Sequence, residues 1–205
     1  MMRAGALKAK TLADSGSSFK FGRFSCKATQ LFFSSPLCIG FVNLRPILPG
    51  HVLISPTRVV SRVADLTDEE LCELWRAARH TAVAMERHLG AEGLNMAIQD
   101  GEAAGQSVPH VHVHLIPRKG GDLARNDEIY ERMEDFDGRP REEASNKDTA
   151  GGGGEAPGGG SAKKMKLHVP PDSERVDRSE ADMEREAGEM RDILLKTYPE
   201  EEGGG

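Results

Sequence analysis

Three histidines alternate with two valines in the segment HVHVHLIP, which runs from His110 to Pro117. Side chains two residues apart point to the same face of a β-strand. The pattern therefore predicts a strand with His110, His112 and His114 on one face and valines on the other. Buried imidazoles need hydrogen-bonding or reacting partners, so the segment predicts a chemical site on a sheet.

Metal binding is one interpretation of this row of histidines. An H-x-H pair on a strand can place two nitrogens on one zinc ion at about 2.0 to 2.1 Å. All three rings cannot converge on one ion, because they span about 13 Å of strand, and a further ligand such as His51 would be needed. No cysteine or carboxylate has obvious ligand spacing. We therefore expect no protein-held metal.

Phosphate chemistry is the second interpretation. A neutral imidazole is a nucleophile, and imidazoles beside it can donate hydrogen bonds to the charge that develops on phosphoryl oxygens. The preceding loop adds flexible backbone N–H groups and polar side chains at Gly105, Gln106 and Ser107. These residues together favour a nucleotidyl-transfer site.

The surrounding sequence predicts short strands and one long helix. Residues 19–24 alternate apolar and polar side chains as one half-buried strand, and β-prone runs follow at 31–34, 37–42 and 51–55. A hairpin is expected from residues 94–99, a ten-residue loop and the histidine segment.

The long helix lies between these two groups of strands. Thr67 and Glu70 form a capping-box pattern, and about 22 residues of helical periodicity run from there to Gly90. Trp75 is expected to be its largest core anchor. His80 and His88 are expected on its solvent side or boundary.

Composition divides the chain near residue 140. Residues 1–140 contain 17 basic and 17 acidic side chains, whereas residues 141–205 contain 10 and 16 and carry the whole net charge of −6. Ten of the 23 glycines lie in residues 151–160 and 203–205, which cannot bury side chains. The predicted organisation is a flexible N-terminus at 1–17, a catalytic domain at 18–138, a Gly-rich flexible linker at 139–178, a C-terminal helix at 179–198 and a disordered tail at 199–205.

The histidine segment and its neighbours also match a known pattern. HVHVHLIP fits H-φ-H-φ-H-φ-φ, in which φ is apolar, and the segments FVNLRPILPGHVLISP, QDGEAAGQSVPHVHVHLIPRKGGD and NDEIY extend the match. From about Ser18 to Tyr130 the chain resembles the histidine triad superfamily, in its fragile histidine triad branch of dinucleoside triphosphate hydrolases. The resemblance implies an α+β fold: a five-stranded antiparallel sheet, a long helix packed across it, a C-terminal helix, and a homodimer that joins two sheets.

The resemblance also implies a role for each site residue. His112 would attack the α-phosphorus of a substrate such as diadenosine triphosphate, giving a covalent nucleotidyl-histidine and ADP, and water would then release AMP. His110 and His51 would support and orient the site. The implied substrate contacts are His114 and Gln106 to phosphate and bridging oxygens, Asn43 and Gln99 to ribose and nucleotide, and Gly105, Ser107 and Val108 along the phosphate path. Mg²⁺ or Mn²⁺ would accompany the substrate and neutralise the departing polyphosphate.

Two other functions stay open for the same residues. One is a nucleoside phosphoramidase of the superfamily, and the other is a signalling module whose nucleotide-bound complex is active because turnover is slow. His114 and the run Pro117-Arg118-Lys119 favour the hydrolase over the phosphoramidase and over a transferase branch in which glutamine replaces the last histidine. Phe24 stands where the branch pattern has a histidine, which leaves the base preference open.

Cysteine use and charge restrict the partners. Cys26, Cys38 and Cys72 are an odd number without C-x-x-C spacing, which indicates reduced thiols inside a cell. No apolar run reaches the roughly 20 residues that span a bilayer, and no basic surface segment appears beyond residues 163–166. We expect a protein of the cytoplasm, or alternatively of the nucleus or of an organelle targeted by residues 1–17, that binds a small dinucleotide and neither membrane nor nucleic acid.

Overall fold

The computed structural model describes residues 17–134 and 177–198. The segments predicted to be flexible or disordered at 1–17, 139–178 and 199–205 lie outside these ranges, apart from residues 17, 177 and 178. The described elements are β1 (Ser18–Phe21), β2 (Phe24–Lys27), β3 (Leu31–Ser34), β4 (Cys38–Val42), β5 (Val52–Pro56), α1 (Asp68–Leu89), β6 (Gly93–Ala97), β7 (Val113–Arg118), α2 (Glu128–Glu134) and α3 (Glu180–Thr197).

Five strands form one antiparallel sheet in the order β3-β4-β5-β7-β6, which confirms the expected α+β fold. The β5–β7 pairing places Leu53 opposite His114, and the β6–β7 pairing places Ala97 opposite His114 from the other side. Directly opposed residues project from the same face of a sheet. The third histidine therefore lies within a row of side chains that crosses the sheet.

Helices α1 and α3 cover one face of this sheet. Leu74 and Met85 of α1 and Met190 of α3 are buried in one apolar cluster that also contains Val111 and Val113. The valines of the HVHVH pattern thus anchor the histidine segment to the helical layer. Because side chains alternate, the histidines must project from the opposite face.

Both predicted helices begin at the caps that their sequences indicate, and α1 also ends at the predicted glycine. The Thr67 side chain accepts a hydrogen bond from the backbone N–H of Glu70, the Glu70 carboxylate accepts from that of Thr67, and Gly90 ends α1 in a left-handed conformation. Ser179 caps α3 by accepting from the backbone N–H of Asp182. The C-terminal helix is docked on the core through its apolar face.

The opposite face of the sheet is covered at its two ends and holds the histidines between them. At one end β1 and β2 form a separate hairpin, and its Phe19 and Phe21 rings lie 5.1 and 4.9 Å from the ring of Phe41. At the other end α2 buries Ile129 against Ile116 of β7. The histidines therefore lie between two packed elements on this face.

The single strand predicted at residues 19–24 is wrong. The chain reverses at Gly22, whose φ is 56°, and β1 pairs with β2 across this turn. Alternating polarity is the same on both strands of a short hairpin, so the pattern alone did not reveal the reversal. Helix α2 was not predicted, because seven residues are too few to show clear helical periodicity.

Two side chains of α1 also differ from expectation. Trp75 is 42% exposed, because the face of α1 that meets the sheet is formed by smaller residues such as Leu74 and Ala78. His80 is only 9% exposed, because α3 packs on its side of α1 and brings the Tyr198 ring to 4.9 Å. His88 is exposed, as expected.

None of the helices within the described ranges is long and apolar enough to cross a membrane.

Docking of α3 can be tested by a pair of truncations on that helix. Met190 is 2% exposed and Leu195 is 38% exposed. We expect Met190→Ala to lower the free energy of unfolding by about 2 to 5 kcal/mol, because it leaves a cavity in the shared core. Leu195→Ala should cost much less. Urea unfolding of both variants measures the difference, and equal small effects would contradict a docked helix.

Candidate active site

The histidine segment keeps its alternation although the regular strand β7 begins only at Val113. Residue Val111, just before it, is held by two bonds: its N–H donates to the carbonyl of Val60, and its carbonyl accepts from the hydroxyl of Ser55, both over 2.7 Å. These bonds keep the Val111 side chain in the core. The rings on either side therefore face away from the helical layer.

All four predicted site histidines meet on this face and are buried. The exposed fractions are 0% for His51, 0% for His110, 3% for His112 and 1% for His114. The ring centroids of His112 and His114 are 4.8 Å apart, and those of His51 and His114 are 5.2 Å apart. The rings of His112, His114 and His51 thus form a row, and the Phe21 ring contacts both His110 and His112.

The proton on His112 is fixed by the backbone beside it. Its Nδ1 lies 2.7 Å from the carbonyl oxygen of His110. Since a carbonyl can only accept, Nδ1 must carry the proton, and Nε2 keeps its lone pair. Burial lowers the pKa of His112 to about 4, although the hydrogen bond to His110 opposes this shift. His112 is therefore a neutral ring with a nucleophilic Nε2 at physiological pH.

The proton on His114 is fixed through His51. The backbone N–H of Ile47 donates to Nδ1 of His51 over 3.1 Å, so the proton of His51 is on Nε2. That nitrogen lies 3.0 Å from Nδ1 of His114, which places the proton of His114 on Nε2. Burial, followed by the neighbouring His112 and His51, lowers the pKa of His114 well below its usual value. His114 can therefore offer a neutral N–H donor.

His110 has both ring nitrogens engaged. Its Nδ1 accepts a hydrogen bond from the backbone N–H of Gly22 over 3.1 Å, so Nε2 carries the proton. Nε2 lies 2.9 Å from the carbonyl oxygen of Pro56 and 3.0 Å from that of Arg58. Burial lowers the pKa of His110, and the two carbonyls oppose this shift. The ring is thus tied to the protein on both sides.

Asn43 and Gln99 border the row from different sides. The Asn43 amide nitrogen lies 3.2 Å from Nε2 and 3.5 Å from Nδ1 of His51, a contact with the ring rather than a hydrogen bond to the protonated Nε2, and its oxygen accepts from the backbone N–H of Arg45. The Gln99 amide donates to the carbonyl of Met133 over 3.3 Å. Gly105 makes room for it, because a Cβ there would lie 2.6 Å from the Gln99 amide nitrogen. Their contacts with ribose and nucleotide stay predictions.

The loop before the triad is held by Gln106. Its amide oxygen accepts from the backbone N–H of Gly101 over 2.7 Å, and its amide nitrogen donates to the carbonyl of Ser61 over 2.9 Å. Both ends of this side chain are thus engaged with backbone in the structure. Ser107 is half-buried and its hydroxyl bonds to no other described residue, whereas Val108 accepts from the backbone N–H of His110. The predicted phosphate contacts of these residues remain predictions.

Several groups of the site were not found from the sequence. The ring of Phe21 stands edge-on to His112 with centroids 5.2 Å apart. The other groups are backbone donors and acceptors at Gly22, Ile47, Pro56 and Arg58. A glycine inside an apparent strand is a known mark of a turn and could have drawn attention to Gly22. Every residue type supplies a carbonyl, so the others carry no signal.

The sequence matches proteins whose family is known. A family profile for the HIT domain matches residues 26–121. The chain is 37% identical over 185 residues to a bifunctional bis(5'-adenosyl)-triphosphatase/adenylylsulfatase of Arabidopsis thaliana. This alignment covers 90% of this chain and 89% of that protein.

The chain belongs to the HIT domain family. This HIT protein is also 47% identical over 114 residues to a bis(5'-adenosyl)-triphosphatase of Dictyostelium discoideum, covering 56% of this chain and 76% of that one. Its fold is similar to that of a Plasmodium falciparum diadenosine triphosphate hydrolase solved with cyclomarin A. That comparison has a TM-score of 0.51 at 30% identity and covers 61% of this chain and 85% of the other.

The neutral state of His112 makes the stability of this HIT protein depend on pH. His112 has a pKa of about 4 in the folded chain against a usual 6.5, so between these values the unfolded chain binds more protons. Above pH 6.5 the buried His112 should not reduce the free energy of unfolding. As the pH falls to 4, this ring should lower the free energy of unfolding by roughly 3 kcal/mol.

Urea unfolding at pH 7 and pH 4.5 measures this dependence. His112→Asn removes the titrating ring and should lose less stability over that interval than the unmodified protein. His88→Asn is the matched control, because it makes the same replacement at an exposed position. An identical loss in all three proteins would contradict the assignment.

Proposed function

We propose that this protein hydrolyses dinucleoside triphosphates, such as diadenosine triphosphate, to AMP and ADP. The observation that carries the proposal is the buried His112, whose Nδ1–H is bonded to the His110 carbonyl so that Nε2 is left as a nucleophile. The relatives named bis(5'-adenosyl)-triphosphatase support the substrate class.

In the first step Nε2 of His112 attacks the α-phosphorus. The Nε2–P bond forms while the bond from this phosphorus to its bridging oxygen breaks, and that oxygen leaves with ADP. The ring gains positive character as it is substituted at both nitrogens, and the hydrogen bond from Nδ1 to the His110 carbonyl stabilises this charge. The Nε2–H of His114 is oriented to donate to the phosphate chain.

In the second step water attacks the same phosphorus. The Nε2–P bond breaks, its electron pair returns to His112, and the water oxygen stays on AMP, with one proton released to solvent or phosphate. One water is consumed and the histidine is restored. Neutral rings suit both steps, because His112 must be unprotonated to react and His114 must keep a proton to donate.

We also propose that Mg²⁺ or Mn²⁺ enters with the substrate. Within residues 17–134 and 177–198, no group of three or more His, Cys, Asp or Glu side chains could hold a metal ion. A divalent ion bound by the polyphosphate itself would neutralise the charge on the departing ADP.

A homodimer through the open sheet edge is part of the proposal. Strand β6 lies at the edge of the sheet, and its Met96 is 38% exposed on the face that α1 covers. Trp75 lies about 140° around α1 from His80, which faces α3, so Trp75 lies on the flank away from α3. Within the described ranges β6 pairs with no further strand on its outer side, and its exposed Met96 together with the exposed Trp75 suits a second copy of the chain.

We further propose a cytoplasmic location, which the free thiols of Cys26, Cys38 and Cys72 support.

The nucleophile is tested with a matched pair of histidine variants. We expect His112→Asn to lower the rate of diadenosine triphosphate cleavage with Mg²⁺ by at least a thousandfold, because no covalent intermediate can form. His88→Asn, in an exposed position of α1, should keep the rate within twofold. Chromatography of AMP and ADP measures both.

Either of two results would sink the proposal: a loss of less than tenfold for His112→Asn, or preferential turnover of adenosine phosphoramidate over diadenosine triphosphate. The second result would indicate the phosphoramidase.

The dimer is tested by charge at the proposed interface. Trp75→Arg should shift the protein from dimer to monomer in sedimentation velocity, since a buried arginine without a partner destabilises an apolar contact. Leu195→Arg places the same charge at an exposed position of α3 and should leave the dimer intact. A monomeric unmodified protein would disprove the interface.

A further inference from the structure

The turn of the β1–β2 hairpin touches the active site through one backbone group. The N–H of Gly22 donates to Nδ1 of His110 over 3.1 Å, across 88 residues of sequence. Gly22 has a φ of 56°, and a Cβ at this position would lie 2.6 Å from Cγ1 of Val108. Both the conformation and the close approach require glycine here.

We propose that the Gly22 N–H is a positioning group that keeps His110 neutral beside the nucleophile. It occupies the one ring nitrogen of His110 at which a second proton could bind. The catalytic consequence rests on the proposed hydrolase function, whereas the effect on His110 itself does not.

The need for such a group follows from the other side of the ring. Nε2 of His110 points to the carbonyl oxygens of Pro56 and Arg58 at 2.9 and 3.0 Å. Two carbonyls would stabilise a protonated imidazole, which can donate from both nitrogens. A fixed N–H donor at Nδ1 opposes this, because a protonated Nδ1 would face another donor.

The remaining neighbours do not replace this control. The hairpin contributes the Phe21 ring, with its centroid 5.6 Å from that of His110. The Arg58 guanidinium is turned away, since it donates to the Glu70 carboxylate over 2.8 and 2.6 Å. On its own segment His110 adjoins His112, which is neutral. The Gly22 N–H is thus the described group that acts directly on Nδ1.

The charge of His110 matters because of the covalent step. The His112 ring becomes positive when its Nε2 is bonded to phosphorus, while its Nδ1–H stays on the carbonyl of His110. A second positive ring in the adjoining position would raise the energy of this intermediate, because like charges repel strongly in a buried site. Keeping His110 neutral therefore favours nucleotidyl transfer, and most so at acidic pH.

A side-chain substitution cannot remove this N–H cleanly. Proline lacks an N–H but is restricted to a φ near −65°, which Gly22 does not have. An amide-to-ester change at Gly22 replaces the N–H by oxygen and leaves every side chain in place; it also weakens the preceding carbonyl as an acceptor, an effect that the ester at Arg23 reproduces one residue along. The ester can be introduced by peptide ligation at the native Cys26, so that no foreign residue remains. A synthetic peptide of residues 1–25 with glycolic acid at position 22 is joined to recombinant residues 26–205.

The experiment compares three full-length ligated proteins: all-amide, ester at Gly22, and ester at Arg23, an exposed turn residue. Loss of one neutral hydrogen bond changes an equilibrium by about three- to tenfold. In the Gly22 ester, kcat/KM for diadenosine triphosphate should fall less than twofold at pH 8 and more at pH 6, and the loss should approach about three- to tenfold at a pH low enough to protonate His110. The Arg23 ester should match the all-amide protein at both pH values.

A direct readout separates this inference from the hydrolase proposal. All seven histidines lie in the recombinant part and can be labelled with ¹⁵N. Imidazole ¹⁵N shifts in the Gly22 ester should show His110 taking its second proton at a pH about half a unit to one unit higher than in the all-amide protein. This measurement needs no substrate, so it holds even if the all-amide protein cleaves no dinucleotide.

Two results would overturn the proposal. One is an unchanged titration of His110 in the Gly22 ester. The other is an equal loss of activity at pH 6 and pH 8, which would show that the bond only stabilises the hairpin.

Discussion

Four imidazole rings are buried on one face of a small sheet, and the free-energy cost of burying a charged ring forces them to stay neutral. Neutral imidazole has one proton and two nitrogens, so its chemistry depends on which nitrogen is protonated. Backbone groups of fixed polarity make that choice for His51, His110 and His112. The row is therefore ordered by main chain rather than by charged side chains.

One face of the sheet forms the apolar core, and the other carries the reactive histidines. On one face the valines of the histidine segment join α1 and α3 in a single apolar cluster. This packing sets the direction in which the alternate residues point. The other face holds the buried histidine rings between the β1–β2 hairpin and α2, away from bulk water. Substitution of a core valine such as Val113 would thus act on the site through its strand.

The sequence contained most of the site but little of what controls it. Alternation at His110, His112 and His114 was enough to predict the shared face, and capping residues such as Thr67 and Ser179 marked the helices. The tautomers could not be predicted, because they depend on backbone groups of residues far away in the chain. Trp75 shows a similar limit: periodicity identifies the apolar side of a helix but not which position has room for an indole.

The contacts that complete the site have long sequence separations: 63 residues between His51 and His114, and 88 between Gly22 and His110. Such contacts form late and slowly when a chain folds, because closing a large loop costs conformational entropy before the contact can stabilise the chain. No short stretch of this chain can therefore form the complete site around His112 by itself. A nascent or partly unfolded copy would hold the three histidines yet leave nucleotides untouched, which confines reactivity to the completed fold.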